Sequence, residues 1–200
     1  KIKRHDVVFV IPPFSQRLSR EEYSFDFPIQ ASMAYNLYIQ KALLSLEYDG
    51  RCAIVVPDGF LNQINKETDA VRRFVFEKLV CIINLGPIFR PYSGINVSLL
   101  ILKNDNYNDH ILMANFLDNK LFSIDEFTNF SNQFRNCKFD LEKFNINNTK
   151  NILLVTKNEI IQNRFILDYK RYQPLEEIIG YVQRPETLIR DIESNTQSLL

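Results

Sequence analysis

The chain has 200 residues, a formal net charge of zero and 46% hydrophobic residues, which suffices for one sizeable core. With the charges balanced, no overall field attracts a polyanion, so nucleic-acid binding would need a local patch or another subunit. The sequence has no apolar run of membrane-spanning length, no recognisable signal peptide and no zinc motif among its three cysteines, so we expect a reduced, cytoplasmic protein without a metal site or a membrane partner.

The first half of the chain alternates predicted strands and helices. Strands are predicted over 7–11, 51–56, 80–85 and 96–103, and helices over 29–48 and from Asn65 or Thr68 to about 78. This alternation favours an α/β fold with a doubly wound sheet. Because only a loop joins the third strand to the fourth, we expect these two strands to be antiparallel neighbours at the sheet edge.

Beyond residue 103 the periodicity is weaker. The predicted elements are a strand over 111–116, a helix from Ser123 to Phe134, a strand over 152–155, and helical segments over 157–163, 175–182 and 186–200. We therefore divide the chain into a sheet-forming part over 1–103, an insertion or peripheral strand–helix segment over 104–150, and a C-terminal segment over 151–200.

The first strand stops abruptly at Pro12-Pro13, and Phe14 follows. Two prolines fix the backbone and remove two N–H donors, which leaves carbonyl acceptors beside an aromatic ring. Such a turn suits a flat ring with an amino group, and a nucleobase is the obvious candidate. The alternative is that the prolines only end the strand and that Phe14 fills the core.

Several segments in order resemble one family. Residues 6–15, Asp-Val-Val-Phe-Val-Ile-Pro-Pro-Phe-Ser, resemble the catalytic motif of adenine-N6 DNA methyltransferases, which is Asn or Asp, then Pro-Pro, then an aromatic residue. Residues 50–61 are similar to the Gly-Arg-x-Ala-x-Val-x-Pro-x-Gly-x-Leu run in modification subunits of type I restriction systems and their single-chain relatives. Residues 88–95 and 163–172 resemble later segments of that family, and residues 175–179 resemble the opening of a target-recognition region.

The resemblance implies a fold and a set of partners. The expected fold is the second half of a Rossmann-like methyltransferase sheet, mixed with an antiparallel edge and followed by a small, mostly helical C-terminal region. Residues 151–200 would lead towards a target-recognition or subunit-docking region. The expected partners are DNA and an N-terminal methylase half, a specificity subunit, or both.

The resemblance also implies methyl transfer from S-adenosylmethionine to the amino group of an adenine flipped out of the duplex. Carried over by position, Pro12 supplies a carbonyl acceptor, Pro13 holds the turn, Phe14 stacks on the base, and Ile11 occupies the place of Asn or Asp. The candidates for substrate binding are Phe14, Arg90, Tyr92 and Ser93, and the last three would face DNA or the base pocket.

Two departures from the family pattern weaken the expected activity. Ile11 cannot accept a hydrogen bond, and an amino hydrogen left unpaired in a dry pocket costs about 1–3 kcal/mol. None of the five glycines forms the Gly-x-Gly turn of the family's cofactor loop, so this loop is absent from the chain. We therefore expect part of an adenine-N6 methyltransferase that is inactive alone. The alternatives are a methylase-derived pseudoenzyme that binds DNA or a subunit and, more remotely, an unrelated α/β domain.

Other polar residues carry weaker signals. Asp58 with Gly59 forms either a plain turn or part of the pocket. Arg72 and Arg73 either lie on a solvated helix face or contact phosphate. Residues 170–172, Lys-Arg-Tyr, suit a nucleic-acid backbone or a docking surface equally. His5 and His110 are predicted at the surface. Buried positions are predicted for Cys52, Cys81, Phe74, Phe76, Phe127, Phe130 and Phe134.

Overall fold

The structure is a computed structural model that describes residues 3–118, 121–146 and 151–174. The helices predicted over 175–182 and 186–200 lie outside these residues. Within them, no helix is both long enough and apolar enough to cross a membrane.

A six-stranded mixed sheet forms the centre of the fold. Its strands are β1 (His5–Val10), β2 (Leu46–Pro57), β3 (Leu79–Gly86), β4 (Val97–Lys103), β5 (His110–Asn115) and β8 (Ile152–Thr156), and a two-stranded ribbon consists of β6 (Leu117–Asp118) and β7 (Leu121–Phe122). The order across the sheet is β1-β2-β4-β3-β5-β8. Strands β1 and β2 are parallel, as are β3 and β5, whereas β4 and β8 are antiparallel to their neighbours. The predicted α/β class with an antiparallel edge is confirmed.

The position predicted for the fourth strand was wrong. Strand β4 pairs antiparallel with β3 as expected, but it also pairs with β2 and so lies inside the sheet. The helical crossover between β2 and β3 carries the chain two positions along the sheet, and β4 returns to fill the gap. The antiparallel edge is formed instead by β8, which pairs with β5.

Five α-helices accompany the sheet in the described residues. They are α1 (Ala34–Leu44), α2 (Gly59–Asn62), α3 (Lys66–Phe76), α4 (Ile124–Cys137) and α5 (Lys157–Gln162). The predicted N-caps are confirmed: the side chain of Asn65 accepts a hydrogen bond from the Thr68 N–H, and that of Ser123 accepts one from the Glu126 N–H.

Helix α1 is shorter at both ends than the predicted span of 29–48. The backbone N–H and C=O of Ile29 bond to the side-chain amide of the buried Gln40, each at 2.9 Å, which holds Ile29 in an extended loop rather than in a helical turn. At the other end, Leu46 already begins β2. The helical spacing of apolar residues continued into both flanking segments and misled the prediction.

The sheet has a separate apolar core on each face. One face packs against α1, α3 and α5 through residues such as Ile54, Leu100 and Met113. The other face, which includes Cys81 and Ile83, packs against α4 and the residues that follow it. Alternate residues of the strands supply the two cores, as the period of a strand requires. Of the residues predicted to be buried, Phe74 and Phe127 are only partly buried against the cores, whereas the others are buried: Cys52, Cys81, Phe76, Phe130 and Phe134.

Among the described strands, β1 pairs only with β2, so its other edge is unpaired there. Alternate residues on and just after it expose large apolar side chains: Val7 is 57% exposed, Phe9 64% and Ile11 52%. We call these three residues the β1 stripe. An unpaired strand with an exposed apolar stripe is typical of a surface that another element covers.

Candidate functional site

A cavity of about 790 Å³ opens at the end of the sheet where β1 and β2 terminate. It is bordered by residues from the loops after β1 and before α1, from the turn between β2 and α3, and from the loop before β4. The lining residues are Phe14, Arg17, Ser32, Met33, Tyr35, Pro57, Asp58, Gly59, Gln63, Asn65, Lys66, Glu67, Ile95 and Asn96. The carboxyl ends of parallel strands are the usual place for ligands in open α/β sheets.

Of the four predicted motif residues, Phe14 alone lines this cavity. Its ring is half-buried and packs against Phe89, with ring centroids 5.8 Å apart and planes inclined by 51°. Pro12 is buried, whereas Pro13 is exposed. Ile11 is half-exposed on the β1 stripe, so its side chain belongs to the sheet edge and not to the cavity wall.

The predicted substrate-binding residues of the loop before β4 lie near the cavity but do not line it. Arg90 is exposed, Tyr92 is 97% exposed, and Ser93 is half-buried. The N–H of Ser93 donates to the Phe89 carbonyl at 3.0 Å, and the Ser93 hydroxyl accepts from the Ile95 N–H at 3.3 Å. These bonds fold the loop so that Ile95 reaches the cavity while Arg90 and Tyr92 face solvent.

The opposite wall contains a polar group that sequence reasoning missed. One carboxylate oxygen of Glu67 accepts hydrogen bonds from the Ser32 N–H at 2.9 Å and the Ser32 hydroxyl at 3.1 Å. Arg17 donates to that hydroxyl at 3.4 Å. These residues are far apart in sequence, and no local pattern signals that they meet.

Asp58 is a second acidic residue in the lining of the cavity. The Ser98 hydroxyl donates to its Oδ1 at 2.8 Å, and its backbone N–H donates to the Asn96 carbonyl at 3.0 Å. Desolvation by burial raises the pKa of this carboxyl group, although the hydrogen bond from Ser98 opposes the shift. Of the two alternatives for Asp58, the structure favours a place in the pocket.

The prediction of a solvated Arg72 was wrong. Its guanidinium is fully buried and donates to the Phe60 carbonyl at 2.7 Å, the Gln63 carbonyl at 3.1 Å and Asp69 at 3.1 Å. Arg73 is exposed, as expected, and donates to Asp69 at 2.8 Å. Arg72 therefore holds the cavity-lining segment around Gln63 and does not contact phosphate.

The Lys-Arg-Tyr segment is partly tied to the protein. Arg171 donates to the Asn163 side chain at 3.0 Å, and the Tyr172 hydroxyl donates to the Ile166 carbonyl. Burial raises the pKa of Tyr172 to about 12. Lys170 is exposed.

The described residues provide neither a nucleophilic cysteine nor a metal site. All three cysteines are free and buried, and burial raises the pKa of Cys52 to about 12. Within the described ranges, no cluster of His, Cys, Asp or Glu side chains could hold a metal ion. His5 is exposed and His110 half-buried.

The residues present do not fit S-adenosylmethionine by themselves. The glycines in the described part of the chain are separated from one another, and a Cβ at Gly59 would meet the Gln63 side chain at 2.7 Å. Of the four described glycines, only Gly94 borders open space, and it lies in the exposed loop before β4. No glycine cradle for a cofactor is formed here.

The sheet order and the cavity at its carboxyl ends define a Rossmann-like methyltransferase fold. The model of the N-6 DNA Methylase family matches residues 1–179. The chain therefore belongs to this family, whose chemistry implies S-adenosylmethionine as the cofactor. None of the curated proteins compared with it is similar in sequence.

Solved structures of type I restriction–modification systems share the fold. One of them was solved to explain the complex assembly and conformational transition of a type I system. It superposes with a TM-score of 0.69 at 20% identity, over 98% of this chain and 45% of the other. The methyltransferase subunit from Streptococcus thermophilus gives 0.67 at 22% identity, over 86% and 39%. The EcoKI M protein gives 0.55 at 18% identity, over 66% and 31%. The chain thus spans less than half the length of these proteins.

Proposed function

We propose that this chain is the catalytic-motif part of an adenine-N6 DNA methyltransferase of a type I restriction–modification system, which acts on DNA in the cytoplasm. One observation carries the proposal: Phe14, directly after the Pro-Pro turn, lines a cavity of about 790 Å³ with polar groups around it. A space of this size accommodates a flipped nucleotide base with its sugar.

Each motif residue has a distinct task in this proposal. The ring of Phe14 stacks on the flipped adenine and is held from behind by Phe89. The carbonyl of Pro12 accepts a hydrogen from the adenine amino group, and Pro13 fixes the turn because its ring restricts the backbone. Ile11 contributes no acceptor, so an active site built on this motif works below the family's rate, by roughly tenfold for each 1.4 kcal/mol lost.

DNA contact is proposed for the loop before β4. Arg90 and Tyr92 are exposed, and the same loop carries Phe89 against Phe14 and Ile95 into the cavity. A cation and an aromatic ring beside the cavity would bind the phosphate backbone or the space left by the flipped base. Ser93 shapes this loop through its two hydrogen bonds.

The cofactor site and its protein partner are proposed together. Bound S-adenosylmethionine supplies the methyl group, but the described residues do not form its site. The unpaired edge of β1 and the β1 stripe are suited to an N-terminal methylase half that adds a strand and covers the apolar side chains. A specificity subunit is a further proposed partner, because one structure that shares this fold is described by the complex assembly of a type I restriction–modification system.

A second candidate function is a pseudoenzyme that binds DNA or a subunit without chemistry. It is favoured by Ile11, which stands where the family has an acceptor. The two candidates differ in whether the assembled protein binds cofactor and transfers a methyl group.

Calorimetry with S-adenosylmethionine tests the proposal. We expect no heat of binding with this chain alone and one site per chain after a methylase half is joined at its N-terminus. The joined protein should then transfer methyl groups to DNA slowly. Absence of cofactor binding by the joined protein would overturn the enzyme proposal in favour of the pseudoenzyme.

Phe9→Lys tests whether the β1 stripe binds the methylase half. Phe9 is mostly exposed, so this change should leave the stability of the chain within about 0.5 kcal/mol while preventing association with a separately produced methylase half. Gel filtration of the mixture measures association. Ile124→Lys, at the exposed first residue of α4, is the control and should assemble normally.

A further inference from the structure

Asp58 is placed as a helix N-cap but does not cap the helix. It directly precedes α2, yet its carboxylate accepts no hydrogen bond from the first turn of that helix. Its backbone is held at both ends, by the bond from its N–H to the Asn96 carbonyl and by the bond from the Leu61 N–H to its own carbonyl at 2.9 Å. Helix capping therefore does not explain why this carboxylate is held in place.

The carboxylate is held in one orientation by a buried hydroxyl. Ser98 is fully buried in β4, opposite Val56 of β2, and donates to Oδ1 of Asp58 at 2.8 Å. Within the described residues, no ion pair or further hydrogen bond engages the other oxygen, Oδ2. Asp168 and Lys170 act on Asp58 only through space, with opposite signs.

The position of Asp58 relative to Phe14 follows from the sheet. Strands β1 and β2 are parallel and in register up to Val10 and Ile54, so the residues that follow them emerge side by side. Both Asp58 and Phe14 line the same cavity. Ile11 instead belongs to the β1 stripe and is absent from the cavity wall.

We propose that Asp58 is the acceptor for the exocyclic amino group of a purine stacked on Phe14, in the place of the acceptor that Ile11 lacks. Oδ2 accepts the hydrogen, while the bond from Ser98 to Oδ1 fixes the carboxylate plane. Ser98 is thereby a positioning residue, since it acts on the base only through Asp58. This inference rests on the function proposed above, which names the base.

Two nucleosides that differ only in the amino group test the assignment. Adenosine carries this group, whereas purine riboside has a hydrogen in its place. Binding of each to the full chain is measured by titration of two-dimensional amide NMR spectra, which also report whether every variant is folded. We expect the chain to prefer adenosine by about three- to tenfold, which is the worth of one hydrogen bond in a partly dry pocket.

Four variants separate the possible causes. Asp58→Leu should abolish the preference while leaving the affinity for purine riboside within about twofold, and Asp58→Asn should retain part of the preference because its amide oxygen still accepts. Ser98→Ala should reduce the preference, and Ser98→Thr should restore it because the hydroxyl is kept. Retention of the full preference by Asp58→Leu would overturn the assignment.

Phe14→Ala distinguishes this failure from a failure of the proposed function. This variant should weaken the binding of both nucleosides by the same factor, because stacking does not depend on the amino group. The base-binding cavity itself would be overturned if Phe14→Ala bound each nucleoside as tightly as the unaltered chain does. It would also be overturned if the unaltered chain bound neither nucleoside at millimolar concentration. Weakening by Phe14→Ala together with an unchanged preference in Asp58→Leu would overturn the role of Asp58 alone.

Discussion

At the scale of single residues, two aspartates experience opposite environments. Burial raises the pKa of Asp58, which has a hydroxyl partner but no ion pair. Burial alone would also raise the pKa of Asp69, but hydrogen bonds from Arg73 and Arg72 outweigh it and lower that pKa. A raised carboxyl pKa means that ionisation costs folded-state stability, whereas a lowered one means that ionisation contributes to it.

This difference predicts opposite pH dependence for two variants. Asp58→Asn should raise the melting temperature at pH 7, and the gain should vanish below the ordinary carboxyl pKa, because both Asp58 and its replacement are then neutral. Asp69→Asn should lower the melting temperature at pH 7, and the loss should shrink as the pH falls through the lowered pKa of Asp69. Thermal denaturation measures both effects over about pH 3 to pH 7, a range that includes the ordinary pKa values of carboxyl groups. A loss of stability at pH 7 in Asp58→Asn would show that the carboxylate is structural.

At the scale of elements, helix α2 depends on a side chain from α3. With four residues, α2 is too short to be stable alone, and its last turn exposes carbonyl groups that need donors. The guanidinium of Arg72 supplies them by bonding the carbonyls of Phe60 and Gln63. The wall of the cavity around Gln63 is therefore fixed by a cation in the core.

We expect Arg72→Met to destabilise the chain by about 3 kcal/mol or more, because it leaves the carbonyls of Phe60 and Gln63 without their donor and removes one of the two cations that bond Asp69. Arg73→Met is the matched control. Its guanidinium is half-exposed, bonds Asp69 and lies 4.0 Å from the centre of the Phe165 ring, so its loss should cost about 1 kcal/mol. Urea denaturation measures both, and equal midpoints for the two variants would contradict the role of Arg72.

At the scale of the whole molecule, the sheet is continuous across the boundaries predicted at residues 103 and 150. Strand β5 pairs with β3 along four residues, from Cys81 with Leu112 to Asn84 with Asn115, and β8 pairs with β5. Helix α4 contributes Phe130 and Phe134 to the core that contains Ile83. The division of the chain at these boundaries stays a prediction.

A chain that ends at residue 103 tests that division. This chain lacks β5, β8 and α4, so Cys81 and Ile83 would be exposed. We therefore expect it to show no cooperative unfolding transition. A chain that ends at residue 174 retains all the described elements and should unfold cooperatively in urea, as followed by near-ultraviolet circular dichroism. A shared midpoint for both chains would establish residues 1–103 as an independent domain.

The sequence alone determined the local features of this protein: the buried strands, the caps at Asn65 and Ser123, and the ordered motifs that mark the methyltransferase family. These follow from short-range chemistry, because strand periodicity, capping and proline turns depend on residues close together in the chain. The tertiary structure decided the rest. The crossover through α3 placed β4 inside the sheet, buried Arg72, and set Asp58 in the wall of the cavity that Phe14 also lines. Such outcomes depend on pairing between segments tens of residues apart, which no local pattern encodes.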